Sequence, residues 1–137
     1  MSRILAIDYG LRRVGLAVTD PLCIIATPLD TVPTATVLEY IIKYHKENPL
    51  QRIVIGEPKQ MNGEPSQSWE AIQEFAAKLQ ETLPLIPIIF EDERFTSKLA
   101  SAAIAQSGLS KNKKRDKGLI DRTAATIILQ SYLENLK

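Results

Sequence analysis

The apolar positions of the chain change period along its length. Ile4 to Asp8 and Val14 to Asp20 are short β-rich runs separated by Tyr9-Gly10-Leu11-Arg12-Arg13, a spacing that predicts two antiparallel strands joined by a tight turn. Ile24 to Val32 predicts a third strand, and Pro28, which lacks an amide donor, suits a sheet edge. From Thr34 to Glu47 the period becomes helical, with Val37, Leu38, Ile41, Ile42 and His45 on one stripe. Arg52 to Gly56 reads as a buried strand. Ser66 or Ser68 is placed to cap a second helix carrying Trp69, Ile72, Phe75, Ala76 and Leu79, which Pro84 and Pro87 stop. Ile86 to Phe90 predicts another buried strand, and Thr96 or Ser97 caps a helix from Lys98 to Gln106. A last helix from about Leu119 to Asn135 carries Ala124, Ala125, Ile128, Tyr132 and Leu136 on one side.

The predicted order is β-β-β-α-β-α-β-α-α, without a repeat or a dividing linker. A meander followed by β-α alternation calls for a mixed α/β sheet with helices on both faces. With 137 residues, 45% of them hydrophobic and 24% charged, the expectation is one domain over 1–137 with one core. That composition excludes disorder, collagen-like repeats and coiled coils. No run approaches the roughly 20 apolar residues of a membrane span. The four-residue hydrophobic run before Asp8 is too short for a secretion signal, so the expected location is the cytoplasm. Cys23 is the single cysteine, which agrees with a reducing compartment, and it reads as a small core residue.

Charge changes the picture locally. Lys111, Lys113, Lys114, Arg115 and Lys117, with Asp116 among them, give a net of +4, while the rest of the chain sums to −3 against a total of +1. Such a run is either a solvated loop or a phosphate grip.

Three acidic features sit where folding alone does not call for them. Alternation puts Asp8 on the strand face of Ile4 and Ala6, where a carboxylate needs hydrogen bonds, a basic partner or a metal. Glu91-Asp92-Glu93-Arg94 follows a strand at its carboxyl end, the side where α/β sheets bind ligands, although a solvated acidic turn reads the same way. Alternation sends Asp92 to one side and Glu91 and Glu93 to the other. Asp121 shares a helical face with Ala124, Ala125, Ile128 and Tyr132; the small residues allow close approach to the sheet, while a first-turn Asp favoured by the helix dipole is the competing explanation. Carboxylates from two strands and a covering helix suit hard divalent cations, and two such ions about 4 Å apart stabilise both oxygens exchanged in phosphodiester cleavage. His45, the one histidine, lies far in sequence from these acids and reads as a partly exposed helix residue.

Four motifs in order span nearly the whole chain: Asp8-Tyr9-Gly10 with Gly15-Leu16-Ala17; Val54-Ile55-Gly56-Glu57-Pro58 with Met61-Asn62-Gly63; Asp92-Glu93-Arg94-Phe95-Thr96-Ser97; and Asp121-Arg122-Thr123-Ala124-Ala125 with Ile128-Leu129. Together they resemble the YqgF family, which is similar to RuvC-type Holliday junction resolvases. The resemblance implies an RNase H-like fold with a five-stranded mixed sheet and a nuclease that matures the 5′ end of pre-16S ribosomal RNA. It makes Asp8, Glu93 and Asp121 the catalytic acids, with Asp92 as the second choice within its pair. The implied ligands of Mg²⁺ or Mn²⁺, as two ions, are Asp8, Asp92, Glu93 and Asp121. Glu57 stands where an apolar residue is usual between Gly and Pro, which adds it as a further candidate ligand. Arg12, Arg13 and Arg94 are candidate phosphate clamps beside the basic run. The implied partners are pre-16S rRNA, branched DNA and ribosomal precursor particles, with no membrane; monomer and homodimer both stay open.

Two other classes compete. Actin-like or sugar-kinase-like phosphotransferases share a DxG hairpin but enclose a nucleotide between two such domains, and this length supplies one. A non-catalytic RNA-binding assembly protein would use the basic run without metal-dependent turnover.

Overall fold

The computed structural model describes residues 2–57, 68–92 and 117–135, with the side chains of residues 117 and 118 left aside. β1 (Arg3–Tyr9), β2 (Arg13–Thr19) and β3 (Ala26–Pro33) form the meander; a 3-10 turn (Thr34–Thr36) leads into α1 (Val37–Glu47), then β4 (Leu50–Glu57), α2 (Trp69–Thr82), β5 (Ile88–Asp92) and α3 (Lys117–Asn135). The helix expected from Lys98 to Gln106, with its caps at Thr96 or Ser97, lies outside the described residues, as do Ser66 and Leu136. The five strands make one mixed sheet in the order β3-β2-β1-β4-β5. β1 pairs antiparallel with β2 and parallel with β4, and β5 continues the parallel half.

β1 is central because it is apolar on both sides. Leu5 and Ile7 enter a core with Val37 and Ile41 of α1 and Ile72, Phe75 and Leu79 of α2. Ile4 and Ala6 point the other way, against Ala125, Ile128, Leu129 and Tyr132 of α3. Helices therefore cover both faces, as the pattern predicts. Each fully buried Ile or Leu contributes about 1.5–3 kcal/mol, and Ile4, Leu5, Ile7, Leu16, Ile53 and Ile55 are all in that state.

The starts of β3 and β5 differ from the sequence expectation for reasons visible in the structure. β3 begins at Ala26 rather than Ile24 because the Asp20 carboxylate captures the N–H groups of Leu22, Ile24 and Ile25 at 3.1, 2.8 and 2.7 Å, holding those residues in a turn. Within that turn Cys23 takes φ 58 and is half-buried, so it lies at the margin of the core rather than inside it. Pro28 does sit on the edge strand, beside a register shift between Leu16 and Ala17. β5 begins two residues later than expected, since Ile86 closes a turn onto the Leu83 carbonyl and Pro87 offers its carbonyl, but no amide, to Ile53. α2 starts after Ser68, whose hydroxyl makes no capping bond to the first turn. His45 is not a ligand in this arrangement: its Nδ1 accepts the Leu50 N–H at 3.0 Å and closes the α1–β4 turn.

α3 lies unusually close to β2. A Cβ built on Gly15 would collide with the main-chain carbonyl of Asp121, so the helix backbone occupies the space a side chain would take. Ala124 and Ala125, 1% and 0% exposed, continue that approach one turn later.

Both the close approach of α3 and the Asp20 turn are open to direct measurement. Gly15→Ala forces α3 off the sheet and should destabilise the fold by about 1–3 kcal/mol, the usual cost of overpacking; an unchanged urea midpoint would show that the helix does not rest on this residue. Hydrogen bonds from the Ile25 N–H foremost, then Ile24 and Leu22, hold the exposed Asp20 carboxyl below its ordinary 3.8. Its contribution is present above that ordinary value and is lost as pH falls through the lower native one. The stability gap between wild type and Asp20→Asn should accordingly shrink on acidification, and chemical denaturation across a pH series reads it directly.

Candidate active site

The glycine contact determines what stands beside Asp8. In the β1–β2 ladder Asp8 lies directly opposite Gly15, and residues opposite one another in an antiparallel pair share a face. Asp8 is therefore on the α3 face, next to the point where the Asp121 backbone touches the sheet. On the other side of β1, Ile7 pairs with Ile55, so the next positions along these parallel strands are Asp8 and Gly56. Asp8 is thus flanked by a glycine on each neighbouring strand.

Asp121 is the fifth residue of α3, beyond the first turn, so helix-end electrostatics do not explain an acid there. Its explanation is Arg13, whose Nε donates to Asp121 Oδ2 at 2.7 Å; the two side chains are 42% and 21% exposed. Arg13 lies two residues from Gly15 on β2 and thus on the same face. Next to Asp121, Arg122 donates to the Thr31 hydroxyl on β3 at 3.3 Å, and Thr31 is the β3 partner of Gly15. A single cross-sheet row, Thr31, Gly15 and Asp8, thus receives the N-terminal part of α3.

The acidic segment after β5 divides as alternation requires. Glu91 faces α3, where its Oε1 accepts from Ser131 Oγ at 3.0 Å and Asn135 Nδ2 at 2.9 Å. Asp92 lies opposite Glu57 in the β4–β5 ladder. Both belong to the face of α1 and α2, because Ile55 and Ile88, which share their parity, pack in that core. Strand geometry therefore separates Asp92 and Glu57 from Asp8. Glu93, Arg94, Lys111, Lys113, Lys114 and Arg115 lie outside the described residues; Lys117 opens α3, and its side chain is likewise outside. Arg12 is exposed in the β1–β2 loop, with its carbonyl accepting the Thr34 N–H at 3.0 Å.

Among the described residues no three His, Cys, Asp or Glu side chains gather into a metal cluster. Of the acids on the α3 face, Glu91 is tied to Ser131 and Asn135, while Asp8 and Asp121 are hard oxygen donors of the kind a divalent cation takes. Three features of this region escape a reading by motif alone: the steric role of Gly15, the Arg13–Asp121 pair and the tie of Glu91 to α3. The signal for the first was present, since Gly15 falls opposite Asp8 once the hairpin is counted.

Comparison with known proteins identifies the family and the fold. Residues 2–135 match the family described as RuvX, Holliday junction resolvase. A protein of Porphyromonas gingivalis carrying the name "Putative pre-16S rRNA nuclease" is 53% identical over 135 residues, covering 98% of each chain. One of Flavobacterium johnsoniae with the same name is 47% identical over 135 residues, again with 98% of each chain. RuvC of Thermus thermophilus, solved in complex with a Holliday junction substrate, superposes with a TM-score of 0.58 at 16% identity, covering 99% of this chain and 96% of that one. That likeness shows the RNase H-like fold. The chain belongs to the RuvX family, the same YqgF family that its motifs resemble.

Proposed function

We propose that this chain is a divalent-metal-dependent nuclease that hydrolyses phosphodiester bonds in structured RNA, acting in the cytoplasm on the 5′ end of pre-16S rRNA. The nuclease class is supported by family membership and by the names of relatives about half identical over nearly their full length. The observation that carries the site is the meeting of Asp8 and the Asp121 segment on one sheet face across Gly15. No helix among the described residues is long and apolar enough to cross a membrane.

Asp8, Glu93 and Asp121 are assigned as the acids that hold Mg²⁺ or Mn²⁺, as two ions. We favour Glu93 over Asp92 and Glu57 because the latter two share the opposite face of the sheet. Bound there, the metal would supply a nucleophilic water and neutralise charge on the phosphate oxygens. The chain's own work is positional. β1 fixes Asp8 at the carboxyl end of a strand buried on both sides, and α3 sets the height of Asp121. Arg12, Arg13 and Arg94 are assigned to the phosphate backbone, and Lys111, Lys113, Lys114, Arg115 and Lys117 to the adjoining strand. The family description as a Holliday junction resolvase keeps branched DNA as the second substrate. Cleavage of a pre-16S 5′ transcript and of a four-way DNA junction, compared under the same conditions, separates the two.

Asp8→Asn should lower metal-dependent cleavage by about 100-fold or more, since loss of even an outer partner of a metal site costs about 10–100-fold. Its unfolding midpoint should stay level or rise as carboxylate repulsion is relieved. Wild-type rates in excess Mg²⁺ would refute the assignment. Replacing Lys113, Lys114 and Arg115 together with Ala should reduce the salt slope of RNA binding by about 0.7 for each phosphate that these side chains neutralise, with Mn²⁺ affinity nearly unchanged. Fluorescence anisotropy across a salt series measures this, and an unaltered slope would leave the run as a solvated loop.

A further inference from the structure

Arg13 reaches Asp121 from a strand 108 residues earlier in the chain, with its Nε 2.7 Å from Oδ2. Neither side chain is locked in the interior, since 42% of one and 21% of the other are exposed. Asp121 lies beyond the first turn of α3, without the help of the helix dipole, and Asp8 stands on the same face. Two carboxylates brought together repel, and a guanidinium relieves that repulsion. A divalent ion relieves it too. The ion and Arg13 carry like charge and seek the same oxygen, so they compete.

We propose that Arg13 is an internal counter-cation that holds Asp121 until a divalent ion replaces it, whereupon the released guanidinium binds a phosphate of the nucleic acid. The proposal rests on the metal-dependent reading above. Arg13 suits the second task because it stands at the end of the exposed β1–β2 loop, next to Arg12 and at the carboxyl end of β1. Its planar guanidinium serves carboxylate and phosphate alike. Substrate and metal thereby become coupled, since the ion frees the cation that grips the phosphate. A purely structural Arg13, which only aims Asp121 at the metal, has the opposite consequence: removing it would weaken metal binding.

The test is Mn²⁺ titration by calorimetry of the full chain, alone and as Arg13→Gln, Arg13→Lys and Asp121→Asn. For a partly exposed ion pair, removing the competitor should tighten Mn²⁺ binding by about threefold, with Arg13→Lys close to wild type. Without metal, Arg13→Gln should unfold earlier than wild type, and saturating Mn²⁺ should close that gap. Binding of a short fluorescein-labelled single-stranded RNA, its integrity checked on gels, supplies a second readout. With Mn²⁺ the salt slope of Arg13→Gln should fall below that of wild type by about 0.7, the value for one neutralised phosphate, and without Mn²⁺ the two slopes should coincide. Unchanged or weaker Mn²⁺ binding by Arg13→Gln overturns the counter-cation role, as does a slope difference that ignores metal. If Asp121→Asn binds Mn²⁺ as wild type does, the metal reading fails, and this inference with it. If Asp121→Asn alone loses Mn²⁺, the metal reading stands and Arg13 is judged by its own variants.

Discussion

The proposed site depends on a missing side chain. Gly15 lets the backbone of α3 descend to the sheet at Asp121, and the hairpin register puts that point beside Asp8. A methyl group at position 15 would hold the helix away, and two acids separated by 112 intervening residues would no longer share a face at close range. The same approach uses Ala124 and Ala125, so the helix settles along a line of small residues rather than at one point. Packing density makes this stringent, because a close-packed interior transmits a displacement of a helix end instead of absorbing it.

Distant anchors keep α3 from pivoting about that contact. Arg122 bonds Thr31 near its start, the Tyr132 hydroxyl accepts from Arg52 at 2.9 Å, and Ser131 and Asn135 converge on Glu91 near its end. These ties reach β3, β4 and β5, so the helix spans the sheet and is fastened on both sides of the central strand. Glu91 illustrates how an acidic run divides its labour. One carboxylate secures the covering helix, and its neighbour Asp92 turns to the opposite face.

How far the sequence discloses this depends on the range of the interaction. Period-two alternation reveals which face Asp8 occupies, and helical phase places Asp121 with Ala125 and Ile128, because both signals are local and repeat several times. The boundaries of β3 and β5 were not legible in the same way. They are decided by single groups, the Asp20 carboxylate that draws Ile24 and Ile25 into a turn, and Pro87, which has no amide for the ladder. The same Asp20 turn leaves Cys23 at the margin of the core, although its hydrophobic neighbours suggest the interior. Least legible was the Arg13–Asp121 pair. In the sequence Arg13 is a candidate phosphate clamp in the first hairpin, and only the docking of α3 identifies its partner.

With the proposed site, a nuclease has to bring an anionic backbone to a group of acids, and local rather than overall charge suits that task. With a formal net charge of +1, the molecule as a whole offers little attraction to nucleic acid. At physiological salt a charge is felt over about 8 Å, so basic residues are useful only if they stand near the acids. Lys117 and Asp121 lie in the same helix, four positions apart, which is about 6 Å along its axis. The basic run ends at Lys117, so its last member is joined to the proposed site through helix backbone. Arg13 supplies a second positive group from β2, paired directly with Asp121. Local cations can therefore offset the repulsion between substrate and acids without making the whole protein basic, which would favour indiscriminate binding to any nucleic acid.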